Sequence, residues 1–508
     1  MEYAIAVIDI GMTNKKIAVY DDSLQQLDAH YRVFEPLLVN GMECHDLEAM
    51  ECWFTGELKS FAKNYPVKAI AISTHGATFV CMGNDGKTAL PCVYYTHEPG
   101  EDFHRRFYER FGKAEDLQAE TGTPFFKALI NPAKNIMLMQ ELFGDSFKNV
   151  KAILPYSQYW GFRFTGKAGV ESTYMGNHNY LWDHLNNCCS KVAHELGIAS
   201  LIPDKLCKSW DILGTINSET AEKTGLDNET IVTMGIHDSN SALLPHFAKK
   251  GERGFILNST GTWCVIMNPV EKYGFAPDEL GKVVFFNISA YGSPIKTAIF
   301  LGGLEFETWS EIFKDQHGRK DFPGWNEELY RSIFKEKKLF LLPELKQGSG
   351  QFPASRSRIT EDGKNYFFDD ICKNISSGSV EDAGKPPCFA DYEKCFAALR
   401  ISLVMQTLTA LERAGMEKGY DVYTEGGFRK DESYSRLLSS ALINNKVYLT
   451  DINEASALGA AMTAKMALSG NHLNDLSKDF EINYTEQEKI NFLELNAYRQ
   501  AWLAQVEK

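Results

Sequence analysis

Two short stretches about 250 residues apart repeat one pattern, and a repeat of that kind constrains the fold of this chain more than any other feature. In the first, Ala4 to Ile8 is a continuous apolar run ending at Asp9-Ile10-Gly11, and Ile17-Ala18-Val19-Tyr20 then resumes apolar character. In the second, Gly254-Phe255-Ile256-Leu257-Asn258 leads through Ser259-Thr260-Gly261-Thr262 into Trp263-Cys264-Val265-Ile266-Met267. Each reads as strand, tight bend and strand. The pair predicts two related lobes dividing near residues 245–253, with a chance match of one short pattern as the competing explanation.

The surrounding alternation is that of an α/β protein with a mixed sheet. Asp46 to Tyr65 carries Leu47, Met50, Phe54, Leu58 and Phe61 near helical spacing, and Lys68-Ala69-Ile70-Ala71-Ile72 follows as a buried strand. Asn84-Asp85-Gly86 predicts a second hairpin turn between Phe79-Val80 and Ala89-Leu90. Later, Asp391 to Gly415 predicts a long amphipathic helix, Val422-Tyr423-Thr424 a strand running into Glu425-Gly426-Gly427, Lys446 to Leu449 another strand, and Glu454 to Leu468 a helix rich in small residues. Residues 347–387, rich in Gly, Ser and Lys with weak periodicity, read as an elaborated surface segment.

The bends carry the chemistry. At Asp9-Ile10-Gly11-Met12-Thr13-Asn14-Lys15-Lys16, Gly11 lets backbone approach a ligand, and backbone N–H groups with Thr13 and Asn14 can donate to phosphate oxygens. Asp9 suits a Mg²⁺ ligand, direct or through water, because this hard cation bridges carboxylate to nucleotide phosphate; a plain Asp-Gly turn is the structural alternative. Ser259, Gly261 and Thr262 offer a second donor-rich bend. Gly426 and Gly427 end a strand before a helix, where a flat base or ribose can lie against bare backbone, although a Gly-Gly is also an ordinary turn. First phosphate bend, second phosphate bend and adenosine loop stand in the order of an actin-like, two-lobed ATPase.

These elements resemble the FGGY carbohydrate kinases over nearly the whole chain. Asp9 through Lys16 looks like the family's first phosphate motif with its terminal basic residue, Gly235-Ile236-His237-Asp238 like its Gly-x-x-Asp element, and Asn258 to Thr262 like its second phosphate motif. Leu301-Gly302-Gly303 through Trp309, Leu341-Leu342-Pro343 to Phe352-Pro353, and Glu425-Gly426-Gly427 followed by Asp451 to Ala461 complete the series. The resemblance implies an α/β, actin-like (ribonuclease H-like) ATPase fold with mixed sheets flanked by helices. The N-terminal lobe, 1–248, would bind sugar and carry the first phosphate loop and the base; the C-terminal lobe, 249–508, would supply the second phosphate loop and the adenosine site. It implies transfer of the ATP γ-phosphoryl group to a sugar hydroxyl, with Asp238 as general base and Mg²⁺, the two bends and Lys16 stabilising phosphoryl charge. Read alone, Asp238 is better explained as an ordinary acid at a helix N-terminus; the surrounding pattern reverses that preference.

For the sugar, His75 and Gly76 in Ser73-Thr74-His75-Gly76-Ala77, His178 with Asn177, and His237 beside Asp238 are the expected contacts. A satisfied buried histidine is the alternative for His75. The resemblance is nearest to members acting on deoxy-ketohexoses such as L-fuculose or L-rhamnulose, with xylulose- or ribulose-type pentuloses next. Departures are Met12 in place of a small hydroxyl residue, Tyr95-Thr96-His97-Glu98 in place of a Trp-x-Asp-x-Arg segment, and Asp431 and Arg436 where the family has amides. A non-catalytic sugar or nucleotide sensor, and a chaperone-type or filament-forming actin relative, are the rival classes.

Composition bounds the partners. The chain has 508 residues with 67 acidic against 53 basic side chains, a formal charge of -14, which opposes nucleic-acid and anionic-membrane partners. Eleven cysteines without a C-x-x-C read as reduced thiols in a cytoplasmic protein. Asp9 comes too early for a signal peptide and no long apolar run is evident, so neither export nor membrane insertion is expected. A homodimer is the expectation from base rates.

Overall fold

The computed structural model describes residues 1–376 and 384–507; of the 347–387 segment, 377–383 lie outside the described residues. The first bend is the turn of an antiparallel meander, β1 (Ala4–Ile10), β2 (Asn14–Asp21) and β3 (Gln26–Val33). On the other side of β1 lies the parallel strand β4 (Val67–Thr74). The far edge is β5 (Ile212–Thr215), antiparallel to β6 (Ile231–Thr233), which runs parallel to β4; β7 (Ile236–His237) also pairs with β4. The apolar run in β1 is unbroken because both its faces are covered. Ile8 and Ile10, with Ile17 and Val19 of β2, pack on Met50, Phe54, Leu58 and Phe61 of helix α1 (Leu47–Asn64). Asp46 starts that helix by accepting the Ala49 N–H at 2.9 Å.

The second half repeats this plan. Strands β8 (Phe255–Thr260), β9 (Cys264–Pro269), β10 (Val284–Ile288), β11 (Pro294–Phe300), β12 (Asp421–Gly426), β13 (Lys446–Thr450) and β14 (Tyr484–Glu486) lie in the order β10-β11-β9-β8-β12-β13-β14. Antiparallel β8/β9/β11, parallel β12 and β13, then antiparallel β14 match β1/β2/β3, β4, β6 and β5 strand for strand. β10 is the one addition on this path.

Two helices join the halves. Helix α2 (Asp238–Lys250) leaves the first sheet, and the expected division at 248/249 would fall in its last turn. The principal helices of the second half are α3 (Gly302–His317), α4 (Tyr392–Arg413), α5 (Glu432–Ala441) and α6 (Ala455–Ser469). Although α6 follows the second sheet in sequence, its Ala457, Ala460 and Ala461 pack in one cluster with Ile5, Val7, Ala69 and Ala71 of the first sheet and Leu243 and Leu244 of α2. The small residues permit this: a Cβ on Gly459 would stand 2.0 Å from the Ser241 carbonyl oxygen, and Ser241 Oγ donates to Ser456 O at 2.6 Å.

Three expectations need correction. Helix α4 is buried on every side from Cys395 to Leu411, not amphipathic, because it runs through the core of the second half. By length and composition it is, among the described residues, the one helix able to cross a membrane, and its apolar window is buried within the protein. The turn at Asn84-Asp85-Gly86 forms, but Phe79–Met82 pairs with Ala152–Pro155 and keeps only an isolated bridge to Thr88. The described part of 347–387 is more than surface: Arg358–Glu361 and Lys364–Phe367 extend a sheet begun by Leu339–Leu342, and Ile371 joins the core.

Candidate active site

A cleft of about 320 Å³ opens between the sheets. Its walls bring together His75, Gly76, His178, His237 and Asp238 from the first half with Ser259, Gly261 and Thr262 from the second. Asp238 arrives there because β7 ends at His237 and α2 begins at the next residue. Burial raises the Asp238 carboxyl to about 6, against the lowering effect of the Ser239 N–H and hydroxyl, while a third of its side chain stays open to the cleft.

His237 is held on both ring nitrogens, Nδ1 by Asn240 at 3.1 Å and Nε2 by Asn177 at 3.2 Å. Burial lowers its proton affinity to about 3, so the ring is neutral and has one N–H. Two amide N–H groups cannot both donate to it. Turning the Asn240 amide over lets Oδ1, otherwise buried without a partner, accept from Nδ1–H. Nε2 then accepts from Asn177 and gives no proton to Asp238 Oδ1, 3.2 Å away. The carboxylate is left without a donor from its neighbour, which agrees with its raised proton affinity.

His75 is likewise satisfied internally. Nδ1 meets Ile10 O at 3.2 Å and Nε2 meets Thr78 Oγ1 at 3.0 Å, and burial brings its proton affinity down to about 3. Gly76 has no room for a side chain, since a Cβ would lie 2.3 Å from Asn177 Nδ2. His178 uses Nδ1 on Ile130 O at 3.1 Å and lines the cleft, its ring also neutral from burial.

The second bend is built from backbone. Thr260 Oγ1 donates to Glu425 O and accepts the Phe428 N–H at 3.0 Å, so this hydroxyl belongs to the frame. Gly426 has φ +80°, and a Cβ on it would stand 1.9 Å from Thr260 O; one on Gly303 would stand 1.9 Å from Gly261 O. Gly427 begins the turn that follows β12. The first bend, with Gly11, Thr13 and Asn14, lies outside the cleft wall and is tied to it through the His75 N–H, which donates to Ile10 O at 2.9 Å.

Asp9 faces this region from the end of β1. Its Oδ2 accepts from Ser456 Oγ of α6 at 2.7 Å. Burial and the nearby Asp238 charge raise its proton affinity, and Ser456, Ser73 and Lys16 oppose the rise. Ser73, opposite Asp9 on β4, has a buried hydroxyl with no other partner. Two carboxylates and hydroxyls with spare lone pairs fit a Mg²⁺ ion that keeps waters and phosphate oxygens as its other ligands. Among the described residues no group of three His, Cys, Asp or Glu forms an all-protein metal site. Lys16 shares the Asp9 face, but its ammonium is taken by Glu454 and by Gln26 Oε1 at 2.7 Å. Asp431 and Arg436 are used structurally: Asp431 pairs with Arg400 at 2.9 Å and caps α5, and Arg436 pairs with Glu432 at 2.7 Å.

Several contributors had no readable signal. Ser456 and Glu454 reach the first bend only because α6 packs on the first sheet. Glu171, wholly buried and raised to about 7, accepts from the Thr173 N–H, the Thr173 hydroxyl, the Tyr174 N–H and Ser209 Oγ; Thr173 Oγ1 in turn accepts the His237 N–H at 3.0 Å. The apolar wall of the cleft is Trp263, at the end of the second bend, with Val265, Phe285 and Ile299 from strands of the second sheet.

Comparison with known proteins agrees with this architecture. A rhamnulokinase of Halalkalibacterium halodurans is 27% identical over 274 residues, 52% of this chain and 56% of the relative. An L-fuculokinase of Salmonella typhi is 23% identical over 210 residues, 41% of this chain and 43% of the relative. The matches thus span about half the length of these curated relatives. A carbohydrate kinase from Novosphingobium aromaticivorans superposes with TM-score 0.79 at 25% identity, covering 99% of this chain and 98% of that one. A xylulose kinase from Lactobacillus acidophilus shares the fold at TM-score 0.80 and 14% identity, covering 99% and 97%. The fold is therefore the two-lobed, actin-like ATPase fold of the sugar kinases. Residues 4–245 match the N-terminal domain of the FGGY family of carbohydrate kinases and residues 252–369 match an FGGY C-terminal domain, together well over half of the sequence, and the chain belongs to that family.

Proposed function

We propose that the protein transfers the γ-phosphoryl group of ATP to a hydroxyl of a small neutral ketose with an apolar end, of the L-fuculose or L-rhamnulose type. The cleft supports this reading: Asp238 and the polar Asn177, His178 and Asn287 share it with the apolar Trp263, Val265, Phe285 and Ile299, and no lysine or arginine lines it among the described residues. A sugar acid would find no counterion there, whereas a deoxy carbon gains from apolar contact and the polar groups penalise sugars lacking a partner hydroxyl.

Asp238 takes the proton of the attacking hydroxyl as that oxygen bonds to the γ-phosphorus and the bond to the β-phosphate oxygen breaks. Thr13 and Asn14 on one bend and Ser259 and Thr262 on the other hold the phosphates through N–H and hydroxyl donors. Gly11 and Gly261, whose N–H groups close the bends onto Asn14 O and Trp263 O, let the backbone come close to the phosphates, and Gly426 and Gly427 lie against the adenosine. Lys16 exchanges Glu454 for phosphate. Asp9 holds Mg²⁺, which when bound neutralises phosphate charge. Gly76 and His178 meet the sugar directly; His75 and His237 shape its pocket through the partners they already hold. The lobes divide at 248/249. Eleven cysteines with no C-x-x-C spacing suit a reducing, cytoplasmic compartment.

Sugar-dependent ADP release across a panel of ketoses, aldoses, polyols and sugar acids tests the reading. L-fuculose or L-rhamnulose should give the highest kcat/KM. Preference for a xylulose-type pentulose, the substrate of a structural neighbour, would shift the substrate class, and binding of sugar and nucleotide without turnover would make the protein a sensor. The same assay gives a pH prediction. With Asp238 near pH 6, kcat/KM should fall about tenfold per pH unit below about 6 as the base is protonated; a flat profile down to pH 5 would remove Asp238 from that role.

A further inference from the structure

One cation beside the phosphate machinery has no place in the mechanism above. Lys15 lies on the face of β2 opposite Lys16, 1% exposed, on the side of Ile17 and Val19. Its ammonium donates to Met12 O at 2.6 Å and Thr13 O at 3.4 Å, and among the described residues it forms no ion pair with a carboxylate.

The first bend is then polarised. Ile10 O accepts from the His75 N–H and Nδ1, Met12 O and Thr13 O from Lys15, and Asn14 O from the Gly11 N–H at 3.0 Å. Every one of these carbonyls has a donor supplied by the protein. Among the described residues, the Met12 and Thr13 N–H groups donate to no protein acceptor. A bend with its Ile10, Met12, Thr13 and Asn14 carbonyls pinned and its Met12 and Thr13 N–H groups free is an anion nest, whereas a carbonyl turned toward a phosphate would repel it. Met12 offers no side-chain donor, so this bend relies on backbone orientation more than one with a hydroxyl there.

We propose that Lys15 is a positioning residue for phosphate binding: by holding the Met12 and Thr13 carbonyls it aims the N–H groups of the first bend at the ATP phosphates, and its buried charge completes an anion site whose counterion is the nucleotide itself. This rests on the kinase reading and assigns a task to a residue outside the cleft and outside the Lys16 position. A buried ammonium without a carboxylate costs stability, and burial brings Lys15 down to about 8. The groups facing it are His75 and His45, both kept neutral by burial, with the rings of Tyr94, Tyr95 and Tyr156 around them and Lys16 across β2.

The test is Lys15→Met, which keeps the length of the side chain and removes charge and donor. Its kcat/KM for ATP should fall at least tenfold, with the KM for sugar within twofold of wild type and a melting temperature at or above wild type. Between pH 7 and 9 the wild-type kcat/KM for ATP should decline more steeply than that of the variant, which keeps only the Lys16 ammonium, itself lowered by burial to about 8. Over the same range wild-type stability relative to the variant should rise, because the unfolded chain keeps the Lys15 proton longer than the folded one does. Calorimetric titration with Mg²⁺ and a nonhydrolysable ATP analogue should show affinity at least tenfold weaker in the variant. That measurement is independent of turnover, so a protein that binds nucleotide yet phosphorylates no sugar would refute the kinase reading and still decide the role of Lys15. ATP kinetics and affinity within threefold of wild type, or equal losses toward sugar and ATP with a lowered melting temperature, would overturn the proposal.

Discussion

Replacing Asp238 by Asn is expected to lower kcat by about 10²–10⁴-fold, the usual contribution of a positioned general base, while the affinity for a nonhydrolysable ATP analogue stays within about threefold. The amide keeps the shape of the carboxyl and its acceptor for the Ser239 N–H, now at 2.6 Å, but cannot take a proton. The stability effect has the opposite sign. A carboxyl whose folded value is raised to about 6 is disfavoured in its charged form by the native state, so wild type loses stability as pH rises from the ordinary carboxylate range through about 6. The Asn variant escapes that loss and should melt at a higher temperature than wild type at pH 7.5, with the difference gone below about pH 4. Loss of both activity and melting temperature at pH 7.5 would show that the residue is structural. A variant keeping more than about a tenth of wild-type kcat would show that proton removal is done elsewhere.

Gly459→Ala should have the next largest effect, and it acts at a distance. The added methyl would stand 2.0 Å from the Ser241 carbonyl oxygen, so α2 and α6 must separate by roughly 1 Å in an interior with no slack. Overpacking of this kind costs about 1–3 kcal/mol. The same shift moves Ser456 away from Asp9 and disturbs the helix that begins at Asp238. Because such displacements can cost about 10²-fold in rate, kcat should fall more than tenfold with a lowered melting temperature. A Gly459→Ala variant with wild-type kcat would mean that this helix crossing does not transmit position to the site. The alanines at 457, 460 and 461 should tolerate glycine better than any larger residue, for the same reason.

How much could be read before folding varies by element in a physically sensible way. The two strand–bend–strand units were legible because a continuous apolar run broken by glycine and hydroxyls has few other uses, and both form, as do Asp238 at a helix start and Gly426 at a strand end. Helix α4 was legible as a helix but not as a buried one, because a long apolar periodicity does not say how many faces are covered. The turn at 84–86 was legible, yet the partner of Phe79–Met82 lies some seventy residues on, a pairing that no local pattern encodes.

The candidate site divides along the same line. Which residue types stand at each bend, and the order of those bends along the chain, follow from the sequence alone, since backbone conformation and hydrogen-bonding capacity are local properties. The electrostatic state of those groups is not local. Asp9 is placed by Ser456, Lys16 is occupied by Glu454, His75 and His237 spend their nitrogens on internal partners, and Lys15 turns from a generic strand residue into a brace for the first bend. Only the tertiary structure decided these, because each depends on burial and on partners brought close by packing from distant parts of the chain, above all by α6 folding back onto the first sheet.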